Sequence, residues 1–234
     1  MTEEIIFEAY LSISQNKFEI YLLDKKNLNN IYKEEVKIKN DTNQIDYNLL
    51  SYFLDKNIFK IEKLIGKFLK NIVVIIENIN ILNFSIGMKK KNYDALINKK
   101  SLESALTELK SIFKENYQNN KIMHIVINRY LIDGVNISSF DEQINGNDVY
   151  IEVNFISVPQ FLIREINNIL GKYQIKTDQY LDKNYILSVF KENSLSLSVA
   201  AFKIKNGQNE NEVTLIPKSI EKKGFFEKFF QLFS

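Results

Sequence analysis

Residues 71–77, with the sequence NIVVIIE, constrain the fold of this chain more than any other segment. A strand with one solvated face alternates apolar and polar side chains, but this run places five apolar residues in succession. It therefore predicts a short strand that is buried on both faces. The chain has 234 residues, 45% of them hydrophobic, which is enough for one large domain or two small ones with real cores.

Two kinds of pattern precede this strand. Residues 5–14, 17–23 and 30–38 are rich in Ile, Phe, Tyr and Val and are separated by short polar turns, which predicts a meander of three strands. Between residues 45 and 69 the apolar positions recur mostly every three or four residues, as one or two amphipathic helices require.

A second series of elements follows the buried strand. Residues 81–88 are typical of a strand, and Ser101 is a good N-cap for a helix with Leu102, Leu106 and Leu109 on one face. Residues 194–204 stay open between a strand, favoured by their Ser-Leu alternation, and a helix, favoured by their Ala-Ala pair. The other predicted elements are strands at 121–132 and 148–158, a helix at 160–170 after Pro159, an extended segment at 173–181 and a helix at 184–191.

Composition excludes several classes of function. The chain has no cysteine, so disulfides and thiolate metal sites are excluded. The net charge of +2, from dispersed basic residues, argues against nucleic acid as a partner. The chain begins Met-Thr-Glu-Glu, which is acidic where a secretory signal would be basic, and no segment is apolar enough to span a membrane. We therefore expect a cytoplasmic protein.

Few residues are candidates for catalysis. His124 is the only histidine, and its position between Met123 and Ile125 on a strand predicts a packed or surface side chain, not a catalytic one. Asp133-Gly134 is a turn signal, and Asp141, Glu142 and Asp148 lie in or beside a flexible loop, where only the fold could pair them as acid and base. No metal-ligand spacing or glycine-rich cradle accompanies them. The sequence therefore predicts no catalytic residue, no metal and no cofactor.

Residues 224–234, with the sequence GFFEKFFQLFS, carry five of the seventeen phenylalanines. At roughly 100° per residue, the apolar side chains fall on one half of a helix and the polar ones on the other. Such a helix lies flat on an anionic membrane and is too short to span a bilayer, which requires roughly 20 apolar residues. The alternative is that it docks on the protein's own core or on a partner. The predicted membrane-binding residues are Phe225, Phe226, Phe229, Phe230, Leu232 and Phe233, with Lys222, Lys223 and Lys228.

A compact basic run, Lys89-Lys90-Lys91, follows one of the predicted strands, and Lys99 and Lys100 lie nearby. It is either a solvated turn or a second contact with anionic lipid, which would contribute about 1 kcal/mol per charge near the surface.

The segment KIMHIVINRYLIDG at residues 121–134 resembles part of FtsA, the actin-like bacterial cell-division protein. In that family an apolar strand with a histidine and a polar break ends in an aromatic, an apolar residue, Asp and Gly. Residues 149–157 (VYIEVNFIS) and 173–178 (YQIKTD) resemble the long strand and the return strand that follow it. The phenylalanine-rich stretch is similar too, because FtsA proteins end in an amphipathic membrane-targeting sequence that often contains Gly-Phe-Phe.

The resemblance implies an α+β fold. It consists of a truncated actin-like half-domain, an inserted strand-helix-strand-strand subdomain that the family calls 1C, and a C-terminal amphipathic helix. FtsA is about twice this size, because two further actin-like subdomains follow. The implied division is a half-domain at 1–78 and 173–204, an inserted subdomain at 79–172, a polar linker at 205–223 and a membrane-targeting helix at 224–234.

The first phosphate loop of the family is not preserved. FtsA has an Asp-x-Gly-Thr hairpin between its first two strands, where this chain has SISQNK at residues 12–17. That loop lacks an Asp for a metal-bound water and a Gly to bring backbone N–H groups close to a phosphate. The second phosphate loop and the glycine pair around adenosine have no counterpart. We infer from the sequence that ATP binding has been lost.

These observations favour a non-enzymatic, peripheral membrane scaffold or adaptor of bacterial cell division, on the cytoplasmic side of the membrane and with the division site as its expected place. Its expected partners are the inner-membrane lipid surface, cell-division proteins bound through the 1C-like subdomain, and further copies of itself. The FtsZ-binding region of the family lies in a subdomain that this chain lacks, so direct FtsZ binding is in doubt. Two alternatives stay open: a PilM-like actin-fold adaptor in pilus or secretion assembly, and a divergent nucleotide hydrolase.

Overall fold

A computed structural model describes residues 6–39, 44–91, 96–97, 99–137, 144–190 and 195–213. Single helices separate runs of three or four strands along most of this length, and the fold is of the α+β class. The elements are β1 (Phe7–Ile13), β2 (Lys17–Asp24), β3 (Asn29–Lys37), α1 (Tyr47–Ile65), β4 (Asn71–Ile76), β5 (Leu82–Lys91), β6 (Leu96–Ile97), α2 (Lys99–Asn116), β7 (Asn120–Ile132), β8 (Val135–Ile137), β9 (Ile144–Asn145), β10 (Asp148–Pro159), α3 (Gln160–Gly171), β11 (Lys176–Asp182), α4 (Lys183–Val189) and α5 (Leu197–Lys205).

The first sheet has five strands in the order β11-β4-β1-β2-β3. The β1–β2 and β2–β3 pairs are antiparallel, so the predicted meander is confirmed. Strands β1, β4 and β11 run parallel to one another, and their carboxyl ends therefore meet at one edge of the sheet. That edge is where ligands bind in many open α/β sheets.

Helices cover both faces of the first sheet. Val74 of β4 packs in a cluster with Leu54 of α1 and Ile166 of α3. The preceding residue, Val73, points to the opposite face and packs with Ala201 of α5. The prediction of a strand buried on both faces is confirmed.

Local sequence signals fix both ends of α1. Asp46 is the N-cap, and its carboxylate accepts a hydrogen bond from the backbone N–H of Leu49. Gly66 ends the helix with a φ of 69°, a left-handed conformation that favours glycine, and its N–H bonds the carbonyl of Glu62. The region 45–69 thus contains one helix, Tyr47–Ile65, where the spacing had allowed one or two.

The second sheet has the order β5-β10-β7-β8, with a separate two-stranded ladder of β6 and β9. α2 packs on it through an aromatic cluster. The ring centroid of Phe113 lies 5.0 Å from that of Phe155 and 5.8 Å from that of Phe84. Phe113 is fully buried and is the largest apolar side chain that α2 contributes to this core.

Several connections hold the two sheets together. α3 follows β10 directly, yet its buried side chains Leu162 and Ile166 belong to the core of the first sheet. Residues 209–213 return to β7, where the N–H of Ile127 bonds the carbonyl of Asn211 and the N–H of Val213 bonds that of Ile125, each at 2.8 Å. The division of the chain at residues 79–172 stays a prediction.

The structure refines two other predictions. Residues 194–204 were open between strand and helix, and α5 is a helix whose small side chains Ser198, Ala200 and Ala201 allow it to approach the sheet closely. The extended segment predicted at 173–181 becomes β11 only from Lys176, because residues before it form turns that include Gln174 at a φ of 59°. Among the described residues, no helix is long and apolar enough to cross a membrane.

Candidate functional site

The predicted membrane-binding residues lie outside the described part of the chain. They are Lys222, Lys223, Phe225, Phe226, Lys228, Phe229, Phe230, Leu232 and Phe233, together with the helix predicted at 224–234. Their assignment to a lipid surface therefore stays a prediction.

The basic run, Lys89-Lys90-Lys91, forms the end of β5 and is engaged with the protein itself. The ammonium group of Lys89 lies 3.0 Å from the Asp148 carboxylate, and Lys90 pairs with Glu108 of α2. Two of its three charges are thus neutralised locally, which favours the interpretation as a solvated surface over a lipid contact. Asp133 accepts hydrogen bonds from the backbone N–H groups of Asn147 and Asp148, so this carboxylate shapes a turn.

His124 is packed, which is one of the two positions that its sequence context left open, and it lies at the junction of the two sheets. Its side chain is buried, and its ring is tilted against Tyr185 of α4 with 4.3 Å between the centroids. Its Nδ1 lies 2.7 Å from a carboxylate oxygen of Glu212, and its Nε2 accepts a hydrogen bond from the N–H of Asp182 at 2.9 Å. The imidazole therefore connects β7, the end of β11 and the segment at 209–213.

The hydrogen bonds assign the tautomer of this histidine. A backbone N–H can only donate, so the Asp182 N–H requires an unprotonated Nε2 on His124. The proton is therefore on Nδ1, which donates to Glu212. The second oxygen of Glu212 accepts from the Tyr185 hydroxyl at 2.7 Å. Burial, followed by the hydrogen bond to Glu212, raises the pKa of Tyr185, so the phenol keeps the proton that it donates.

Asp182 is the N-cap of α4 and is buried beside this junction. One carboxylate oxygen accepts the N–H of Tyr185 at 2.8 Å, whereas the other has no hydrogen-bond partner. Burial raises the pKa of Asp182 above its usual value, and the bond from Tyr185 opposes that effect. This arrangement is structural: among the described residues, no group of three or more acidic, His or Cys side chains is placed to hold a metal ion.

The carboxyl edge of the first sheet holds a small cavity of about 210 Å³ next to the hairpin that joins β1 and β2. Ser14 closes the hairpin, with its Oγ within 3.0 Å of the Lys17 carbonyl oxygen and 2.9 Å of the Asn16 side-chain oxygen. Glu77, Asn78 and other side chains complete the lining. The hairpin thus presents side chains to this cavity where a phosphate loop would present glycine N–H groups.

Two lysines at this edge are paired with carboxylates. Lys17 pairs with Glu19 at 2.8 Å and with Glu35 at 3.2 Å. Lys183 pairs with Glu77 at 2.8 Å. A phosphate bound by either of these lysines would have to compete with an ion pair that is already formed.

In contrast to that edge, a groove of about 570 Å³ between α2 and α3 is lined by basic side chains without a carboxylate. Ile122 and Ile163 supply apolar lining, and the hydrogen bond from the N–H of Gln160 to the carbonyl of Asn119 fixes the start of α3 against the start of β7. We call this the α2–α3 groove. Its full lining is Lys110, Lys114, Asn120, Lys121, Ile122, Gln160, Ile163, Arg164, Asn167 and Asn168.

Four cations and no carboxylate line the α2–α3 groove. In the described part of the chain, Lys110, Lys114 and Lys121 form no ion pair, and Arg164 has only Glu165 at 4.0 Å. Burial lowers the pKa of Lys110, and the neighbouring charge of Lys114 lowers it further. Lysines that repel one another without a compensating carboxylate create a local positive potential, which favours an anionic ligand.

The sequence did not predict this groove. Lys110 and Lys114 are one helical turn apart and share a face of α2, which was the only signal available. Arg164 lies on another helix, and only the packing of α3 on the first sheet brings it near them.

Comparisons with known proteins relate the chain to others through its fold. No protein-family model matches the sequence, and no curated protein matches it. A chain of the PilM–PilN type IV pilus biogenesis complex has a TM-score of 0.51 and 10% identity, covering 78% of this chain and 49% of that one. The chain therefore spans about half the length of that structure.

Two further structures are more distant. The cytoplasmic domain of EpsL, an inner-membrane component of the type II secretion system of Vibrio cholerae, has a TM-score of 0.41 and 9% identity over 77% of this chain and 59% of that one. A Bacteroides thetaiotaomicron protein with an actin-like ATPase fold has a TM-score of 0.34 and 15% identity over 81% and 57%. Both superpositions are too loose to carry an argument. The comparisons thus show that this chain shares its fold with a chain of the PilM–PilN complex, and the resemblance to FtsA and to the actin-like class stays a prediction.

Proposed function

We propose that this chain is a non-catalytic adaptor of partial actin-like fold that binds an acidic segment of a partner protein in the α2–α3 groove. The observation that carries the proposal is a set of four cations around an apolar floor, three of which form no ion pair within the described residues. A groove of about 570 Å³ has the size of an ordinary binding pocket, typically about 300–1,000 Å³. Apolar contacts would supply affinity there, and charge complementarity would supply orientation and selectivity.

The proposal that the chain is not an enzyme rests on the carboxyl edge of the first sheet. The β1–β2 hairpin has no glycine, and Lys17 and Lys183 are held by carboxylates. A divergent nucleotide hydrolase would need a free cation or a backbone cradle at this edge. Its test is thermal unfolding with and without excess magnesium nucleotide, because a ligand that binds only the folded state raises the melting temperature. We expect no shift.

The proposed setting is a membrane-associated assembly of the pilus or secretion kind. The fold likeness to a chain of the PilM–PilN complex, which contains a partner protein, supports this setting over the cell-division scaffold that the sequence resemblance first favoured. The division role draws its support from sequence resemblance alone, in the segments at 121–134, 149–157 and 173–178 and in the phenylalanine-rich stretch.

We further propose that residues 224–234 tether the adaptor reversibly to an anionic membrane surface. The support is the separation of five phenylalanines from Glu227, Lys228 and Gln231 on a helical projection. The double substitution Phe226→Asp with Phe230→Asp should abolish co-sedimentation with liposomes and leave the melting temperature unchanged. Undiminished co-sedimentation of the double variant would contradict the tether.

The partner proposal is tested by photocrosslinking in cells. A photoreactive amino acid replaces Asn168, an exposed residue of the α2–α3 groove. The matched control carries it at Ser188, which is exposed on α4 at the opposite face of the first sheet. Mass spectrometry then identifies the crosslinked partner peptide. We expect a crosslink from position 168 and none from position 188. The crosslinked partner peptide should be acidic. The crosslink should be lost in the Lys110→Glu, Lys114→Glu variant. A neutral or basic peptide, or a crosslink that survives charge reversal, would contradict the proposal.

A further inference from the structure

The solvent-facing side of α1 has an unusual composition for a helix on a protein surface. Leu50, Leu54 and Ile61 lie on the opposite side and are fully buried in the core of the first sheet. At about 100° per residue, Tyr52 and Phe59 project nearly opposite to that buried side. They are 55% and 71% exposed, so neither ring is needed to fill the core. Large aromatic side chains at this position are placed where a surface helix normally carries polar ones.

Three lysines lie on the same side of the helix. Lys56, Lys60 and Lys63 fall within about 100° of the two rings on a helical projection. All three are exposed, and the ammonium group of Lys56 lies 4.1 Å from the ring centroid of Tyr52. None of the three takes part in an ion pair within the described residues. We call Tyr52, Lys56, Phe59, Lys60 and Lys63 the α1 outer face.

The two carboxylates beside the α1 outer face are directed to other partners. Asp55 accepts the hydroxyl hydrogen of Tyr173 at 2.6 Å. Glu62 accepts the N–H of Leu69 at 3.0 Å. Within the part of the chain that the structure describes, these lysines therefore have no carboxylate partner and are open to an anionic ligand.

We propose that the α1 outer face is a binding surface for an anionic lipid bilayer, separate from residues 224–234 and from the α2–α3 groove. Phe59 would enter the headgroup region as a protruding ring, and the lysines would extend toward lipid phosphates with their aliphatic stems along the helix. A protein partner fits this surface less well, because the cores of protein interfaces are depleted in lysine. Stable attachment to a membrane generally requires two signals, and this surface supplies one.

The test uses a fluorescent reporter in the full chain. The natural sequence has no tryptophan, so Phe59→Trp introduces the sole indole of the molecule. Phe226→Asp and Phe230→Asp are included to remove the proposed tether. If residues 224–234 do not bind the membrane, these substitutions change nothing, and the emission at position 59 still reports on the α1 outer face. The matched control is Leu187→Trp, which is comparably exposed on α4, across the first sheet from α1. The probes are vesicles of phosphatidylglycerol with brominated acyl chains, and vesicles of phosphatidylcholine.

The expected result is specific to position and to lipid charge. Phosphatidylglycerol vesicles should shift the emission of the Phe59→Trp protein to shorter wavelength and quench it, and phosphatidylcholine vesicles should do neither. The Leu187→Trp protein should not respond. Replacing Lys56, Lys60 and Lys63 with glutamine should weaken vesicle binding about a hundredfold, because each lysine near an anionic surface contributes about fivefold.

A second charge variant tests whether vesicle binding depends on the lysines of the α1 outer face or only on the net charge of the protein. Glutamine at Lys25, Lys39 and Lys91, three exposed lysines elsewhere, changes the net charge equally and should weaken binding far less. The proposal is overturned if the Phe59→Trp protein does not respond, or if both reporters respond alike. It is also overturned if the two lysine variants lose affinity equally. An emission shift that grows with protein concentration in the absence of lipid would assign the face to contact between copies instead.

Discussion

Replacement of Glu212 with alanine should destabilise the fold through the junction of the two sheets. The carboxylate accepts one hydrogen bond from His124 and one from Tyr185, both at 2.7 Å, and its side chain is only 11% exposed. Hydrogen bonds to a charged group contribute about 1.5–3 kcal/mol each. The variant also leaves the His124 N–H and the Tyr185 hydroxyl buried with one partner fewer. We therefore expect the free energy of unfolding to fall by about 3–5 kcal/mol.

Urea denaturation measures this loss, and a double-mutant cycle locates it. Tyr185→Phe alone removes one of the two hydrogen bonds, and its coupling to Glu212→Ala should be about 1–3 kcal/mol. Hydrogen exchange should show faster exchange at Ile127 and Val213, the amides that hold residues 209–213 on β7. The control is Glu210→Ala, an exposed carboxylate two residues away, with an expected effect within about 0.5 kcal/mol. Equal losses from Glu210→Ala and Glu212→Ala would refute the reasoning.

Three further predictions concern stability. Burial raises the pKa of Asp182, so folding loses stability as pH rises from the usual value of 3.8 through the folded-state value. Asp182→Asn keeps the N-cap, and urea titrations should show its advantage over the natural protein growing as pH rises above the usual value of 3.8. Phe113→Ala should cost about 3–5 kcal/mol in the same assay, because it empties the centre of the aromatic cluster under α2. Gly66→Ala should cost about 1–2 kcal/mol, because a Cβ there meets no neighbour but must adopt a φ of 69°; no loss would mean that the helix end relaxes.

The strands and helices could largely be predicted because their signals are local. The run of five apolar residues at 72–76 predicted a strand covered on both faces, and Asp46 and Gly66 mark the ends of α1 by their own hydrogen bonding and backbone geometry. Residues 194–204 could not be assigned from their pattern. Serine and alanine there are compatible with either structure, and burial of Ala201 against the first sheet decides for a helix.

The candidate site depends on contacts between distant parts of the chain, which no local pattern contains. Lys110 lies on α2, which packs on the second sheet, and Arg164 lies on α3, which packs on the first sheet. They come close to each other only because of the way α3 packs. His124 was predicted to be packed or on the surface, and its partner Glu212 lies in a segment that the sequence marked only as a polar linker. The residues at 222–233 are the opposite case, because the separation of their apolar and polar side chains on a helical projection is a strong local signal.

The central claim is that the α2–α3 groove recognises the acidic charge of a partner segment. The most direct measurement is calorimetric titration of a synthetic peptide with the sequence identified by crosslinking, against the natural chain and against the Lys110→Glu, Lys114→Glu variant. A second peptide has its acidic residues replaced by lysine. We predict that the natural chain binds only the acidic peptide, more weakly as salt rises, and that the variant prefers the lysine peptide. Equal binding of both peptides to both proteins would contradict the account.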